Sequence, residues 1–344
     1  MRLAPALAAL TISFIACGGA ATPDEAPHGD APPGATSPPE VAPAPSPTPA
    51  PTTETPGPTP EPALTAATCF KTLTGTIPGP DYDKFKPTIA KSCAGTQHQK
   101  ISGVEKLVFL GDSVTTGTPP TLPNDFYRSR VGGEVRKRFG AGVEIADCSA
   151  WGARTDDYLE GKNQIASCFP SGGDAKKTLV VMTMGGNDIA AWAKSKLSTA
   201  QATAEADIAA DRLRAAIDWL KEPARFPKGV YVVFANVYEY TDTSGDLLSC
   251  PAAALSGLSG TWPEGAPAVV HFQERFMEIA TQTKTDMIFL LEHFCGHGYK
   301  RGDATLQCYR GPGAELWFDA TCTHPNPKGH KEIAGLFTKI IDGL

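Results

Sequence analysis

Leu107-Val108-Phe109-Leu110-Gly111-Asp112-Ser113 is an apolar run that ends abruptly in a glycine, an acid and a serine. Four consecutive large apolar residues fit a strand buried on both faces, the environment of a parallel sheet. Open parallel sheets bind ligands beyond the carboxyl ends of their strands, so Ser113 stands at the edge where a nucleophile can work. Gly-Asp-Ser is also ordinary turn chemistry, and the tripeptide gains meaning only from the rest of the chain.

Working outward from this run, strand-like and helix-like segments alternate. The pattern predicts helices over 126–139, 202–220, 269–283 and 327–341, and strands over 143–146, 179–184, 230–237 and 287–291. Such alternation argues for parallel βαβ units, hence an α/β fold: a three-layer α/β/α sandwich around a central parallel sheet. The connections over 240–267 and 292–318 are long enough to face a substrate.

The start of the chain is different in kind. Residues 1–16 carry one basic residue, Arg2, followed by a mostly apolar stretch too short to span a membrane, which reads as a cleaved signal peptide. Phe14-Ile15-Ala16-Cys17-Gly18 resembles a bacterial lipobox, with Phe14 where lipoproteins usually carry Leu. Acylation of Cys17 would tether the chain to a membrane, and in a Gram-negative cell Gly18, unlike the usual inner-membrane retention signal, points to the outer membrane. The alternative is ordinary secretion after cleavage near Ala20 or Ala21. Residues 17–66 form a Pro-rich linker with fifteen prolines between Pro23 and Pro62, a composition that cannot build a core. At about 3.1 Å per residue in an extended polyproline form, its reach is roughly 150 Å.

The linker holds acids and no Lys or Arg, so the folded domain, 67–344, is nearly neutral although the whole chain carries 31 basic against 37 acidic residues. No basic stretch is interleaved with aromatics, and nucleic acid is not an expected partner. With 41% hydrophobic residues the chain can bury one sizeable core once its non-globular start is set aside. Of nine cysteines, eight remain after Cys17, an even number in a chain expected to be exported. Four disulfides are expected against free buried thiols, with 105 possible pairings. Cys69 and Cys93 can staple an extension onto the domain. Cys148 and Cys322, each a few residues from a proposed site residue, are expected to brace active-site loops.

Four islands line up in order: Gly111-Asp112-Ser113; Asp147-Cys148-Ser149-Ala150-Trp151-Gly152; Gly185-Gly186-Asn187-Asp188; and His324-Pro325-Asn326-Pro327-Lys328-Gly329-His330. At these residues the chain resembles the SGNH hydrolases, also called the GDSL esterase and lipase family, whose four letters match Ser113, Gly152, Asn187 and His324. The resemblance covers roughly 106–344 and implies a flavodoxin-like α/β/α fold and a serine esterase or lipase acting on carboxylic esters. It also allows two alternatives, a polysaccharide O-deacetylase and a surface binding module that has lost catalysis. The expected partner is an ester substrate: a lipid, a small acyl ester or an acylated glycan.

The chemistry of these residue types agrees with the resemblance. A serine hydroxyl needs a neighbouring base, and histidine titrates where it can take and return a proton, which casts Ser113 as nucleophile and His324 as base. The oxyanion of the tetrahedral intermediate needs preorganised donors. The backbone N–H groups of Ser113 and Gly152 and the side-chain amide of Asn187 can supply three. Asn326-Pro327 is a good helix cap that would fix His324 just ahead of a helix. Asp112 and Asp188 read as loop anchors, and His330 as packing or polar support.

The family usually places an Asp three residues before its histidine, where this chain has Thr321; the nearest upstream acid is Asp319. Two arrangements stay open. A folded-back loop could bring Asp319 to His324 as the third member of a triad, or Ser113 and His324 could work as a dyad with a backbone carbonyl on the other ring nitrogen. Glu292-His293-Phe294-Cys295-Gly296-His297 places two histidines four apart, a spacing that a metal site on a helix would use. Gly296 and Gly298 disfavour that helix and serine chemistry needs no metal, so no metal or cofactor is expected and His297 is read as a polar residue of a substrate-facing loop.

Overall fold

The computed structural model describes residues 63–71, 73 and 79–344. The expected signal peptide 1–16, Cys17 and nearly all of the 17–66 linker lie outside the described residues.

Five strands form one sheet: β1 (Lys106–Gly111), β2 (Glu144–Asp147), β3 (Thr178–Thr183), β4 (Val230–Ala235) and β5 (Asp286–Ile288), in the spatial order β2-β1-β3-β4-β5 with every neighbouring pair parallel. β1 and β3 are buried along their whole length, and Val108 pairs with Val180, Phe109 with Val181 and Leu110 with Met182. The unbroken apolar run that opens the motif is therefore central, with helices on both faces. From β1 the chain goes to one neighbour, β2, and then returns past it to β3. The reversal leaves a crevice beyond the carboxyl ends of β1 and β3, where folds of this order bind ligands.

The flanking helices are α1 (Tyr127–Phe139), α2 (Gly186–Lys194), α3 (Thr199–Lys221), α4 (Gly265–Thr283) and α5 (Pro327–Asp342). α1 packs on α5, where Tyr127 stacks on Phe337 at 5.5 Å, and α3 packs on α4. The buried stripe of α3 is largely alanine (Ala202, Ala206, Ala209, Ala210, Ala216), which lets α4 come close. α3 begins with a reciprocal Ser198–Gln201 capping box, and α5 begins with Pro327 behind Asn326, whose side chain accepts from the N–H groups of Lys328 and Gly329.

Two departures from the expected elements bear on the site. The fifth strand stops at Ile288, and Leu290–Phe294 turns into a short helix. The Leu291 N–H is drawn to Asn236 Oδ1 at 2.9 Å, which turns the apolar run away from the sheet. α2 was not expected, because Gly185-Gly186-Asn187-Asp188 hides the helical periodicity that follows it.

The segment before β1 covers the β5 edge. Thr96 N–H donates to Met287 O and Phe289 N–H to Ala94 O, each at 2.9 Å, while the Gln99 amide bonds both Val232 O and Val232 N–H. An edge covered in this way cannot template pairing with another chain. The Cys69–Cys93 disulfide closes a loop within this extension, where a staple onto the rest of the domain was expected, and the other cysteines pair as Cys148–Cys168, Cys250–Cys322 and Cys295–Cys308. Among the described residues no helix is long and apolar enough to cross a membrane.

Leu110 is fully buried at the end of β1. Leu110→Ala should cost about 2–5 kcal/mol in urea denaturation. A loss below about 1 kcal/mol would contradict the central placement of this strand.

Candidate active site

The turn after β1 is built to present one side chain. Gly111 has φ +149°, and a Cβ there would lie 2.4 Å from Thr183 O. Asp112 then caps the short helix Ser113–Thr116, its Oδ1 accepting from Val114 N–H at 3.0 Å. Gln164, buried in the helix Gln164–Cys168, completes the strand end: its amide accepts from Gly111 N–H and donates to Gly111 O, both at 2.8 Å. Ser113 stands half-buried beyond this frame, and its Oγ is 2.8 Å from His324 Nε2.

His324 is held by a loop closed at its base. Phe318 and Pro325 form an antiparallel bridge, Asp319 N–H donates to His324 O at 2.9 Å, and Cys322 N–H donates to Asp319 O at 3.0 Å. Cys322 has φ +75° and is bonded to Cys250, while Tyr238 OH donates to Thr323 O at 2.8 Å. Asp319 is buried inside this loop but makes no direct hydrogen bond to the ring. Its Oδ1 accepts from the Thr321 hydroxyl at 2.5 Å and from Thr321 N–H at 2.8 Å, and Thr321 Oγ1 lies 2.6 Å from His324 Nδ1. The loop does fold back, yet threonine meets the histidine.

The other two islands converge from either side of β1. The loop after β2 is tied to the sheet by Cys148 N–H to Phe109 O and Ala150 N–H to Gly111 O, and to the short helix Gln164–Cys168 by the Cys148–Cys168 disulfide. It brings round Gly152, whose φ of +70° suits glycine. Asn187 lies in the first turn of α2, and one of its amide protons is given to Ala153 O at 2.9 Å. The second amide proton remains for another acceptor. Asp188, beside it, accepts from Thr155 N–H and Oγ1 at 3.2 and 3.0 Å, so three hydrogen bonds join the Gly152 and Asn187 segments.

Ser113, Gly152, Asn187 and His324 line one pocket of about 650 Å³. Away from the serine its walls are mainly apolar, with Ile189 and Ala190 of α2, Val269 of α4, and Val237, Leu247 and Trp262 around them. The 240–267 segment supplies much of this wall, whereas the second long connection contributes only Cys295. His297 is not part of the lining; it stacks on Trp317, with Nδ1 2.8 Å from Glu315 O. His293 Nε2 lies 3.2 Å from Cys93 O, so the two histidines serve separate backbone contacts. His330 is buried under α1, with Nδ1 accepting from Tyr127 N–H at 3.2 Å.

Burial dominates the electrostatics. It pushes the Asp112 carboxyl up to about 7, against the pull of Val114 N–H and the Thr183 hydroxyl, and Asp188 up to about 6. It pushes His324 below the ordinary histidine value, with the Asp319 charge opposing, and His330 down to about 3. A neutral imidazole bonded to a serine hydroxyl is the state in which it can accept that proton. Gln164, Tyr238 and the bridging contact of Thr321 are structural contributors that no sequence motif announced.

Asp112 offers a pH test of this picture. A carboxyl with a raised folded pKa binds more protons folded than unfolded, so its contribution to stability is fullest below its unfolded value, about 4, and is lost as pH rises towards about 7. The stability of the wild type minus that of Asp112→Asn, from urea denaturation at several pH values, should fall across this window. A difference that does not change with pH would contradict the desolvated carboxyl.

The model of the GDSL-like lipase/acylhydrolase family matches residues 109–332. Similar solved structures include phospholipase A1 from Streptomyces albidoflavus NA297 (16% identity, TM-score 0.43, covering 68% of this chain and 98% of that one) and an extracellular lipase from Streptomyces rimosus (17%, 0.45, 68% and 98%). An acetyl xylan esterase, AlAXEase, is also similar (18%, 0.44, 67% and 97%). No curated protein sequence matches the chain. With its family model matched over most of its length and a five-stranded parallel sheet flanked by helices, this chain belongs to the GDSL-like lipase/acylhydrolase, or SGNH hydrolase, family.

Proposed function

We propose that this chain is an exported serine esterase whose substrates are carboxylic esters with extended acyl chains. The observation that carries the reading is the 2.8 Å contact between Ser113 Oγ and His324 Nε2 at the mouth of a large apolar pocket. In this reading His324 takes the Ser113 proton as Oγ attacks the ester carbonyl. The oxyanion is met by the N–H groups of Ser113 and Gly152 and by the second Asn187 proton. Collapse of the intermediate expels the alkoxide, which leaves as an alcohol with the proton from His324. Water, activated by the same ring, then hydrolyses the acyl-enzyme and regenerates Ser113. The apolar walls receive the acyl chain, because removing methylenes from water is favourable by about 0.8 kcal/mol each. An acetyl group would leave most of that pocket unfilled, which sets the polysaccharide deacetylase second.

The leader and Pro-rich segment support export of the domain 67–344, with acylation of Cys17 as the membrane tether in an outer membrane, and four disulfides suit an oxidising compartment.

A series of nitrophenyl esters tests the proposal. From acetyl to octanoyl, kcat/KM should rise by up to about fourfold per methylene. Ser113→Ala should abolish hydrolysis without loss of fold, and Asn187→Ala should lower kcat by about 10²-fold or more with less change in KM. A preference for acetyl with release of acetate from polysaccharide would favour the deacetylase, and unchanged turnover in Ser113→Ala would sink the serine mechanism.

A further inference from the structure

Thr321 occupies a place in the site that neither sequence-based arrangement assigned. Its Oγ1 lies 2.6 Å from His324 Nδ1 and 2.5 Å from Asp319 Oδ1. The directions of these two bonds are fixed by proton count. An ionised carboxylate only accepts, and a threonine hydroxyl has one proton to give. The Thr321 proton therefore goes to Asp319, and the oxygen is left to accept from the histidine. That requires the proton of the neutral ring to sit on Nδ1, which leaves Nε2 as the acceptor for Ser113, 2.8 Å away.

The loop makes this orientation stiff. Asp319 Oδ1 takes both the N–H and the O–H of Thr321, so the threonine side chain is held against its own backbone. The next residue, Cys322, sits in the left-handed region at φ +75°, donates to Asp319 O and is anchored to Cys250. Tyr299 OH donates to Asp319 O at 2.6 Å. Asp319 is 5% exposed, and its Oδ2 has no hydrogen-bond partner among the described residues. A carboxylate buried this way, with its bonded oxygen committed to Thr321, acts on the ring through that hydroxyl.

We propose that Thr321 is a positioning residue that relays Asp319 to His324, so that a Ser–His–Thr–Asp chain stands where a three-residue chain would end in a carboxylate on the imidazole. No bond is made or broken along the relay: the threonine keeps its proton, Nδ1 keeps its own through both ring states, and only Nε2 exchanges a proton with Ser113 and the leaving group. This rests on the esterase reading, deepening the account of that same site.

The test uses the full chain with a fluorophosphonate probe, which reports Ser113 nucleophilicity without knowledge of the natural ester. Thr321→Val keeps shape and loses the hydroxyl; it should slow phosphonylation of Ser113 and kcat for a nitrophenyl ester by about tenfold or more, with KM within about threefold. Thr321→Ser, which restores the hydroxyl, should return both to within about threefold of wild type. Asp319→Asn should cost a smaller factor in the Thr321→Val background than in the wild type, because its route to the ring is already cut. Nitrogen-15 spectra of labelled histidine should show the Nδ1–H tautomer of His324 in the wild type and a shift towards a tautomer mixture in Thr321→Val. Unaltered labelling by Thr321→Val, or a cost of Asp319→Asn that is the same in both backgrounds, would overturn the relay alone. Absence of Ser113 labelling in the wild type would overturn the esterase reading and the relay with it.

Discussion

One hydrogen bond, 2.8 Å from Ser113 Oγ to His324 Nε2, joins residues 211 positions apart in the chain. Local sequence cannot create such a contact. It exists because β1 runs through the middle of a parallel sheet and ends at the reversal of strand order, and because α5 packs on α1 and delivers the loop before it to that same edge. Burial of β1 on both faces sets where Ser113 emerges, and the cap at Asn326, two residues beyond His324, sets where α5 begins. Everything else at the site adjusts the approach of these two side chains or the donors around them.

Those adjustments are made by buried polar groups with few alternatives. Asp112 and Asp188 make no hydrogen bond to Ser113 Oγ or His324, yet both are buried and both fasten backbone: one the turn that carries Ser113, the other the loop behind Gly152. Glu239, pushed above its usual range by burial, accepts the N–H groups of Thr241 and Thr243 at the start of the pocket-lining segment. A carboxylate taken out of water has to be satisfied where it lies, so each of these acids rigidifies the loop that feeds it. The disulfides act on the same loops. Cys148–Cys168 holds the loop before Gly152, and Cys250–Cys322 ties the pocket wall to the histidine loop.

The fold was legible where burial leaves a direct mark. A strand covered on both faces reads as an apolar run, as in β1 and β3, and the helices over 127–139 and 199–221 read from their periodicity. It was less legible where one side chain overrides the local pattern. Leu290 and Leu291 continue the apolar run of β5 and still leave the sheet, because Asn236 captures the Leu291 N–H. Gln164 imitates a strand backbone at Gly111, and no motif marks a glutamine that does so. The site shows the same division. Ser113, Gly152, Asn187 and His324, which line one pocket, could be picked out because the serine chemistry proposed for them demands particular residue types. The connection between Asp319 and His324 could not, since it depends on a fold-back whose partner, Thr321, looks like any loop threonine until the loop is closed.

In the proposed mechanism these four residues converge on one reacting centre. The most direct measurement is a crystal structure of the protein after reaction with an alkyl phosphonate ester. The adduct should show a covalent bond from Ser113 Oγ to phosphorus, the phosphoryl oxygen within hydrogen-bond distance of Ser113 N, Gly152 N and Asn187 Nδ2, and the alkyl chain between Ile189 and Val269. A phosphoryl oxygen turned to solvent, or an adduct on another residue, would contradict that mechanism.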